Sequence, residues 1–221
     1  MIVGRSMHER WLSNAYVVGD TPGGTAVFVD SGAPLGPLLE LVERESLTPT
    51  NLLRTHTHPD HIEHEDELCA RFGIPVVTGD LVTGGLTARS IALPGHSDDG
   101  VAFVVNDDVC FTGDVLFKDA VGGGPADVCR ASVMQLMDLP PATRILPGHT
   151  DETTIAREFE HNPFVVYWRG AVPSLGEQVR VAGDDAELVV WSPDYDGNGK
   201  ALVRFGDGRE AIVGGSRVER G

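Results

Sequence analysis

Five of the eight histidines in this 221-residue chain, with two aspartates, fall in the order His56-x-His58-x-Asp60-His61, then His96, Asp114 and His149. Imidazole nitrogen and carboxylate oxygen are donors accepted by zinc, iron and manganese, and a catalytic site leaves one coordination position open for water. Seven donors are too many for one tetrahedral ion but suit two ions that share one of them, and a two-metal site of this kind is hydrolytic. Taken singly, each residue has a simpler reading as a satisfied core histidine or a turn aspartate. Structural residues have no reason to follow the ordered set.

Strands and turns must aim these donors at one point. Leu52-Leu53-Arg54-Thr55 follows Pro49 and reads as a short buried strand, and residues 62–72 read as a helix. The first four donors lie in the turn between them, which Pro59 fixes, with Asp60 near a helix start. Leu93-Pro94-Gly95-His96 ends an apolar segment, and so do the segments leading into Gly113-Asp114 and Gly148-His149. Each donor therefore falls just past the carboxyl end of a strand, where α/β proteins keep their sites.

Upstream, residues 11–18 and 25–30 read as a hairpin around Pro22-Gly23-Gly24, and Leu35, Leu38, Leu39 and Val42 keep a helical period. Further strands are expected at 76–77, 91–93, 101–105 and 109–111, and helices at 131–137 and 153–160. This order suits an α+β chain built as an αββα sandwich, two mixed sheets face to face with helices outside. Pro173 and Gly176 mark a boundary, giving a metal-hydrolase domain over 1–172 and a small domain over 173–221. Closely spaced short strands in the latter, with turns at Asn198-Gly199 and Asp207-Gly208, predict a small SH3-like β-barrel. Asp194-x-Asp196-x-Asn198-Gly199 matches the first half of a calcium loop. The twelfth position is Phe205 rather than Glu, so the segment reads as a polar hairpin loop.

The segments THTHPDH, PGHSDDG, FTGDVLF and LPGHTDETT, in this order, resemble the metallo-β-lactamase-fold hydrolase superfamily. Within it, TTIAREFEHNPF at 153–164 brings the chain nearest to the glyoxalase-II-like (hydroxyacylglutathione hydrolase-like) thioester hydrolases. The resemblance implies a first metal on His56, His58 and His96, a second on Asp60, His61 and His149, and Asp114 bridging the two. The ions would be zinc, with iron or manganese as alternatives, sharing a hydroxide that attacks a carbonyl carbon. Asp60 is then also the catalytic carboxylate that orients the hydroxide. The implied reaction is cleavage of an acyl thioester of a low-molecular-weight thiol.

The chain also departs from that pattern. Glu63 and His64 stand where many relatives have glycines, and His64 reads either as part of an acidic first helical turn or as a substrate contact. Val121-Gly122-Gly123-Gly124-Pro125 replaces a Gly-Arg-Thr-Asp motif, which removes a guanidinium and predicts a flexible loop beside the cleft. The helical glutathione-binding domain of glyoxalase II has no visible counterpart, and the loss of the motif's guanidinium argues mildly against glutathione while leaving the identity of the thiol open. Tyr167 and Arg169 are the remaining substrate-contact candidates, with aromatic core packing as the other reading of that segment. The alternatives are a persulfide dioxygenase with one iron and a lactonase of the same fold. Lactonases carry a Tyr after the bridging Asp, and none lies between Asp114 and His149. From another class, a binding module with a vestigial metal site is the outside alternative.

A net charge of −16, with 15 Arg and only 2 Lys, offers no basic surface for nucleic acid. No apolar run is long enough to span a membrane, and the first residues lack the pattern of a secretory leader. Cys69, Cys110 and Cys129 are an unpatterned set expected of reduced thiols in the cytoplasm. His8 and His161 read as solvent-exposed. The expectation is a cytoplasmic enzyme acting on a small molecule, with homo-oligomerisation open to it.

Overall fold

The computed structural model describes residues 1–220. β1 (Ile2–Met7), β2 (Asn14–Gly19), β3 (Thr25–Val29), β4 (Thr48–Leu53) and β5 (Val76–Val77) form one sheet in that order, with α1 (Gly36–Arg44), α2 (Pro59–Ile62) and α3 (Glu65–Phe72) in its connections. β6 (Leu81–Thr83), β7 (Leu86–Ala92), β8 (Val101–Val105) and β9 (Val109–Gly113) begin a second sheet. The chain then leaves it through β10 (Gly124–Pro125) and α4 (Ala126–Leu136). It returns as β11 (Arg144–Pro147), parallel to β9, and β12 (Thr153–Thr154), followed by α5 (Ile155–His161) and α6 (Pro163–Trp168).

Strand alternation sorts the side chains into layers. Tyr16 and Val18 of β2 face Phe103, Val105 and Phe111 of the second sheet, forming the core between the sheets. Ala15 and Val17, one residue out of step, face Leu38, Leu41 and Val42 of α1 and Leu68 of α3. On the far side, Ala102, Val104, Cys110 and Ile145 pack against Val133 and Leu136 of α4 and Phe164 of α6. Both faces of each sheet are covered at its central strands, which is why β2 and β9 are buried at every residue. The layers are the expected αββα sandwich. The helix expected over 62–72 is two helices that meet at Glu63 and His64. Among the described residues no helix is long and apolar enough to cross a membrane.

β13 (Glu177–Val181), β14 (Asp184–Ser192), β15 (Lys200–Phe205), β16 (Glu210–Gly214) and β17 (Val218–Arg220) follow the expected spacing of short strands, but the SH3-like barrel is not found. They form one open sheet in the order β10-β16-β15-β14-β13-β17, and no ladder joins its edges among the described residues. The reason lies in what covers it. A register shift between Leu188 and Val190 turns Val189 and Val190 toward the sandwich, where they join Leu202 and Ile212 against α6 and Trp168. That face is buried against the rest of the chain rather than against itself. The other face gathers Val179, Leu188, Val203 and Val213 in a small cluster.

Candidate metal centre

All seven donors converge at one rim of the sandwich. His56 follows β4, His96 follows β7, Asp114 follows β9 and His149 follows β11. His58 caps α2, with Pro59 at its first position, so Asp60 and His61 enter the site from one short helix. Three groups of donors lie close enough to hold an ion: His56 with His58 and His96; His56 with His61 and Asp114; and Asp60 with His61 and His149.

The distances have one economical explanation. His58 Nδ1 is 3.0 Å from both His56 Nε2 and His96 Nε2. Nitrogens bound at 2.0–2.1 Å to one tetrahedral ion stand roughly 3.3 Å apart, so three imidazoles facing each other this closely are placed for a cation. Asp114 lies between the groups, with Oδ1 3.2 Å from His61 Nε2 and Oδ2 3.4 Å from His96 Nε2 and 3.2 Å from His149 Nε2. Asp60 Oδ2 is 3.4 Å from His149 Nε2 and 3.8 Å from His61 Nε2. His61 Nε2 and Asp114 Oδ1 are buried without a geometrically sound hydrogen bond, an arrangement a protein interior rarely tolerates unless another partner is meant to fill it. Gly148 leaves room for that: a Cβ there would collide with Asp114 Oδ1 and stand 2.7 Å from His61 Cε1. The donor chemistry, the orphaned atoms and the space fit two divalent ions.

The two ends of the site differ in charge. Burial, with repulsion from His61, lowers the pKa of His56 to about 4, and burial lowers that of His96, so both rings are neutral at pH 7. Burial also opposes charge on His61 and His149, but there Asp114 outweighs it. His149 rises to about 9 and His61 lies well above its ordinary value. In turn these two imidazolium rings overcome the burial of Asp114 and hold its carboxyl well below the usual range. Burial works against charge on Asp60 as well, but His149 and His61 keep it below the usual carboxylate range.

Two supporting residues were missed in the sequence. Asp30, just past β3 and 3% exposed, places Oδ2 2.8 Å from His61 Nδ1 and accepts hydrogen bonds from Thr55 N and Oγ1 at 2.8 and 2.7 Å. Thr55 Oγ1 is in turn 3.0 Å from His56 Nδ1, so one carboxylate orients a ring in each half of the site. Its only sequence signal was an acidic residue at a strand end before Ser31-Gly32. The other is Tyr195, in the polar loop between β14 and β15. Its ring stacks on His149 with centroids 4.0 Å apart and planes 2° from parallel. Burial, then the nearby Asp114, pushes its phenol further toward the neutral form.

The substrate-contact candidates are each engaged with other residues of the chain. Tyr167 accepts a hydrogen bond from Arg204, Arg169 donates to the Phe159 carbonyl, and Trp168 is in the core, all matching the packing reading. His64 stands at the N-cap position of α3 without a side-chain capping bond, with Glu63 and Glu67 at 3.7 and 3.6 Å, beside an acidic first turn. The glycine segment is not a loose loop. Gly123 carbonyl lies 3.3 Å from His96 Nδ1, and Gly124–Pro125 pair with β16. Glycine is needed because a Cβ at Gly122 would meet the Asp114 carbonyl and the His96 ring. His8, expected to be exposed, stacks on Trp11 at 4.7 Å.

Residues 8–89 match the family model of the metallo-beta-lactamase superfamily. An uncharacterised protein of Mycobacterium tuberculosis (strain H37Rv) is 31% identical over 206 residues, covering 69% of this chain and 92% of that protein. The structure of ETHE1 from Myxococcus xanthus superposes with a TM-score of 0.66 at 30% identity, covering 74% of this chain and 84% of that one. The chain belongs to the metallo-beta-lactamase superfamily. Within that superfamily it is 33% identical to a hydroxyacylglutathione hydrolase of Rhodopseudomonas palustris (strain BisB18) over 156 residues, 61% of each chain. The superfamily is one of metallo-hydrolases that bind divalent metals, and this chain has the donor groups to hold them.

Proposed function

We propose that this protein is a binuclear metallo-hydrolase that cleaves the acyl thioester of a low-molecular-weight thiol. The observation that carries the reading is Asp114, whose carboxylate stands between the triads His56/His58/His96 and Asp60/His61/His149: Oδ2 faces His96 of the first and His149 of the second, and Oδ1 faces His61 of the second. Two ions held there, zinc or else iron or manganese, would supply an electrophile for the carbonyl oxygen and would acidify a bound water toward ~7. The likeness to a hydroxyacylglutathione hydrolase supports a thioester as substrate.

The chain's own residues divide the remaining work. Asp60 is ionised, three-quarters buried and at the edge of the second triad, so it takes the proton of the attacking water and delivers it to the departing sulfur. The C–S bond breaks, the acyl carbon gains the water oxygen, and acid and thiol leave. Asp114 stays an ionised spacer, and Asp30 holds the rings of both triads in place. The acidic surface disfavours nucleic acid as a partner, and a cytoplasmic enzyme with residues 1–172 as its hydrolase domain, free to form homo-oligomers, completes the proposal.

Elemental analysis of protein purified without chelator, joined to a hydrolysis screen over thioesters, lactones and β-lactams, tests this reading. About two metal equivalents per chain and fastest turnover on a small acyl thioester are expected. The likeness to ETHE1 favours a second reading, a persulfide dioxygenase with one iron. One equivalent of iron with oxygen uptake on a persulfide would replace the first reading with the second.

A further inference from the structure

Metal-binding histidines are normally aimed by a hydrogen bond from the ring nitrogen that does not face the metal. His61 Nδ1 has Asp30, His56 Nδ1 has Thr55, and His96 Nδ1 has the Gly123 carbonyl. His58, half-buried, faces the site through Nδ1 and has no such bond at Nε2 among the described residues, and His149 is the ring that lacks one while buried. Its Nε2 faces Asp60 and Asp114, but its Nδ1 is buried without a hydrogen-bond partner among the described residues. Aromatic rings take the place of that bond. Tyr195 covers one face of the imidazole in a near-parallel stack at 4.0 Å, and Phe117 packs edge-on against both rings at 5.7 and 5.6 Å.

The segment that carries Tyr195 is built to hold it there. Asp194 accepts a hydrogen bond from the Tyr195 amide at 2.9 Å and pairs with Lys200 Nζ at 2.9 Å, with the Asp194 side chain only 2% exposed. Ser192 Oγ, at the base of the hairpin, donates to the Asp119 carbonyl, tying the loop to the segment that follows Phe117. The Tyr195 hydroxyl bonds to no described residue, so the ring face is the part in use.

We propose that Tyr195 is a positioning residue for the second metal position: its stacked ring fixes the His149 imidazole where a hydrogen bond is missing, so the C-terminal sheet completes the metal centre. This rests on the two-metal reading above. The stack confines the rotation of the His149 ring about its Cβ–Cγ bond, so the ring keeps its Nε2 directed at Asp60 and Asp114. Loss of an outer partner of a metal ligand typically costs ~10–100-fold in affinity, and a stacked ring belongs at the lower end of that range.

The test is competition of Zn2+ between a chromophoric chelator and the full-length protein, resolving both equivalents, for wild type, Tyr195→Phe, Tyr195→Leu and Tyr195→Ala. Tyr195→Phe keeps the stack and should bind both equivalents within about threefold of wild type. Tyr195→Ala and Tyr195→Leu should lose roughly tenfold at the weaker equivalent only. An unchanged first equivalent shows that the variant has folded, and Tyr195→Leu maintains bulk should the alanine variant not fold. Equal affinities in wild type and both ring-deleting variants overturn the proposal, as does a Tyr195→Phe loss matching that of alanine. Ser13 Oγ is also buried and unpartnered beside the His149 bridge. If Ser13→Ala alone reproduces the loss, the hydroxyl and not the stack orients the ring, and the proposal fails. A single equivalent in wild type overturns the two-metal reading and this inference with it, a result distinct from two equivalents insensitive to Tyr195.

Discussion

Metal uptake by the apoprotein is expected to split into a proton-silent and a proton-releasing event. His56, with its pKa lowered to about 4, and His96, lowered by burial, are already neutral at pH 7 and accept an ion without losing a proton. His149 stands at about 9 and His61 well above its ordinary value, so the second triad is cationic at pH 7 and must deprotonate to bind. Two pH units below the His149 pKa, at ~1.36 kcal/mol each, amount to ~2.7 kcal/mol, or ~100-fold in apparent affinity, before His61 is counted. Calorimetric titration with Zn2+ in two buffers of different ionisation enthalpy counts the protons, and chelator competition from about pH 6 to 9 gives the pH slope. The first event should release no proton. The second should release at least one and tighten about tenfold per pH unit for each. Equal proton counts in both events, or a second affinity flat with pH, would refute the charge asymmetry. The apoprotein's stability should follow the same groups. The raised pKa of His149 stabilises the fold below ~6.5, and that contribution is lost as pH rises through about 9. The lowered pKa of His56 acts in reverse, contributing above ~6.5 and fading as pH falls toward about 4. Thermal melting of the metal-free protein should therefore peak near neutrality.

Asp60→Asn should reduce turnover by more than ~10²-fold while the first metal stays bound, since it removes the proton acceptor and a donor of the second triad only. Near-normal turnover at full metal loading would mean another group handles the proton. Asp30→Asn should weaken both metals by ~10–100-fold, because its carboxylate touches His61 directly and reaches His56 through Thr55. A loss confined to one equivalent would break that link. A chain ending at residue 170 strips Val189, Val190, Leu202 and Ile212 from the core cluster around Phe164 and Trp168. At ~1.5–3 kcal/mol each, this approaches the ~5–15 kcal/mol that holds a typical domain folded. It should melt far below the full chain or fail to fold, and an unchanged melting temperature would show residues 1–170 to be self-sufficient.

The cluster of candidate donors was legible because its pattern is local: four fall within six residues, and each of the others follows a glycine at the end of an apolar segment. The sandwich was legible for a related reason, since strand and helix periods report which face is covered. What escaped is what depends on tertiary neighbours. Asp30 is a lone acid at a strand end, and only the fold brings Thr55 and His61 to it. The Asp194–Gly199 segment reads as a polar hairpin and is one, but composition carries no sign that its tyrosine reaches a histidine 46 positions earlier. Strand spacing announced the C-terminal sheet, yet closure depends on what covers its face, and here that is α6 and Trp168. The glycines at 122–124 looked like freedom, whereas a Cβ at Gly122 would meet the Asp114 carbonyl and the His96 ring, and one at Gly124 the Gly95 carbonyl.

The two candidate metal positions differ in the charge their rings carry, and this links the competing readings. Asp30, through Thr55, braces His56 of the first triad and touches His61 of the second directly. His96 has the Gly123 carbonyl. His149 has only aromatic packing, and its triad also carries the protons that an entering ion must displace. On the two-metal reading, the second position is therefore expected to be the weaker one and to empty first under chelation or low pH. A chain that loads the first position alone has the stoichiometry of a one-metal oxygenase, and one that loads both has that of a hydrolase. On the proposed reading the difference lies in how firmly Asp60, His61 and His149 would hold an ion, so the occupancy of that triad at working pH is the measurement that should separate the two chemistries.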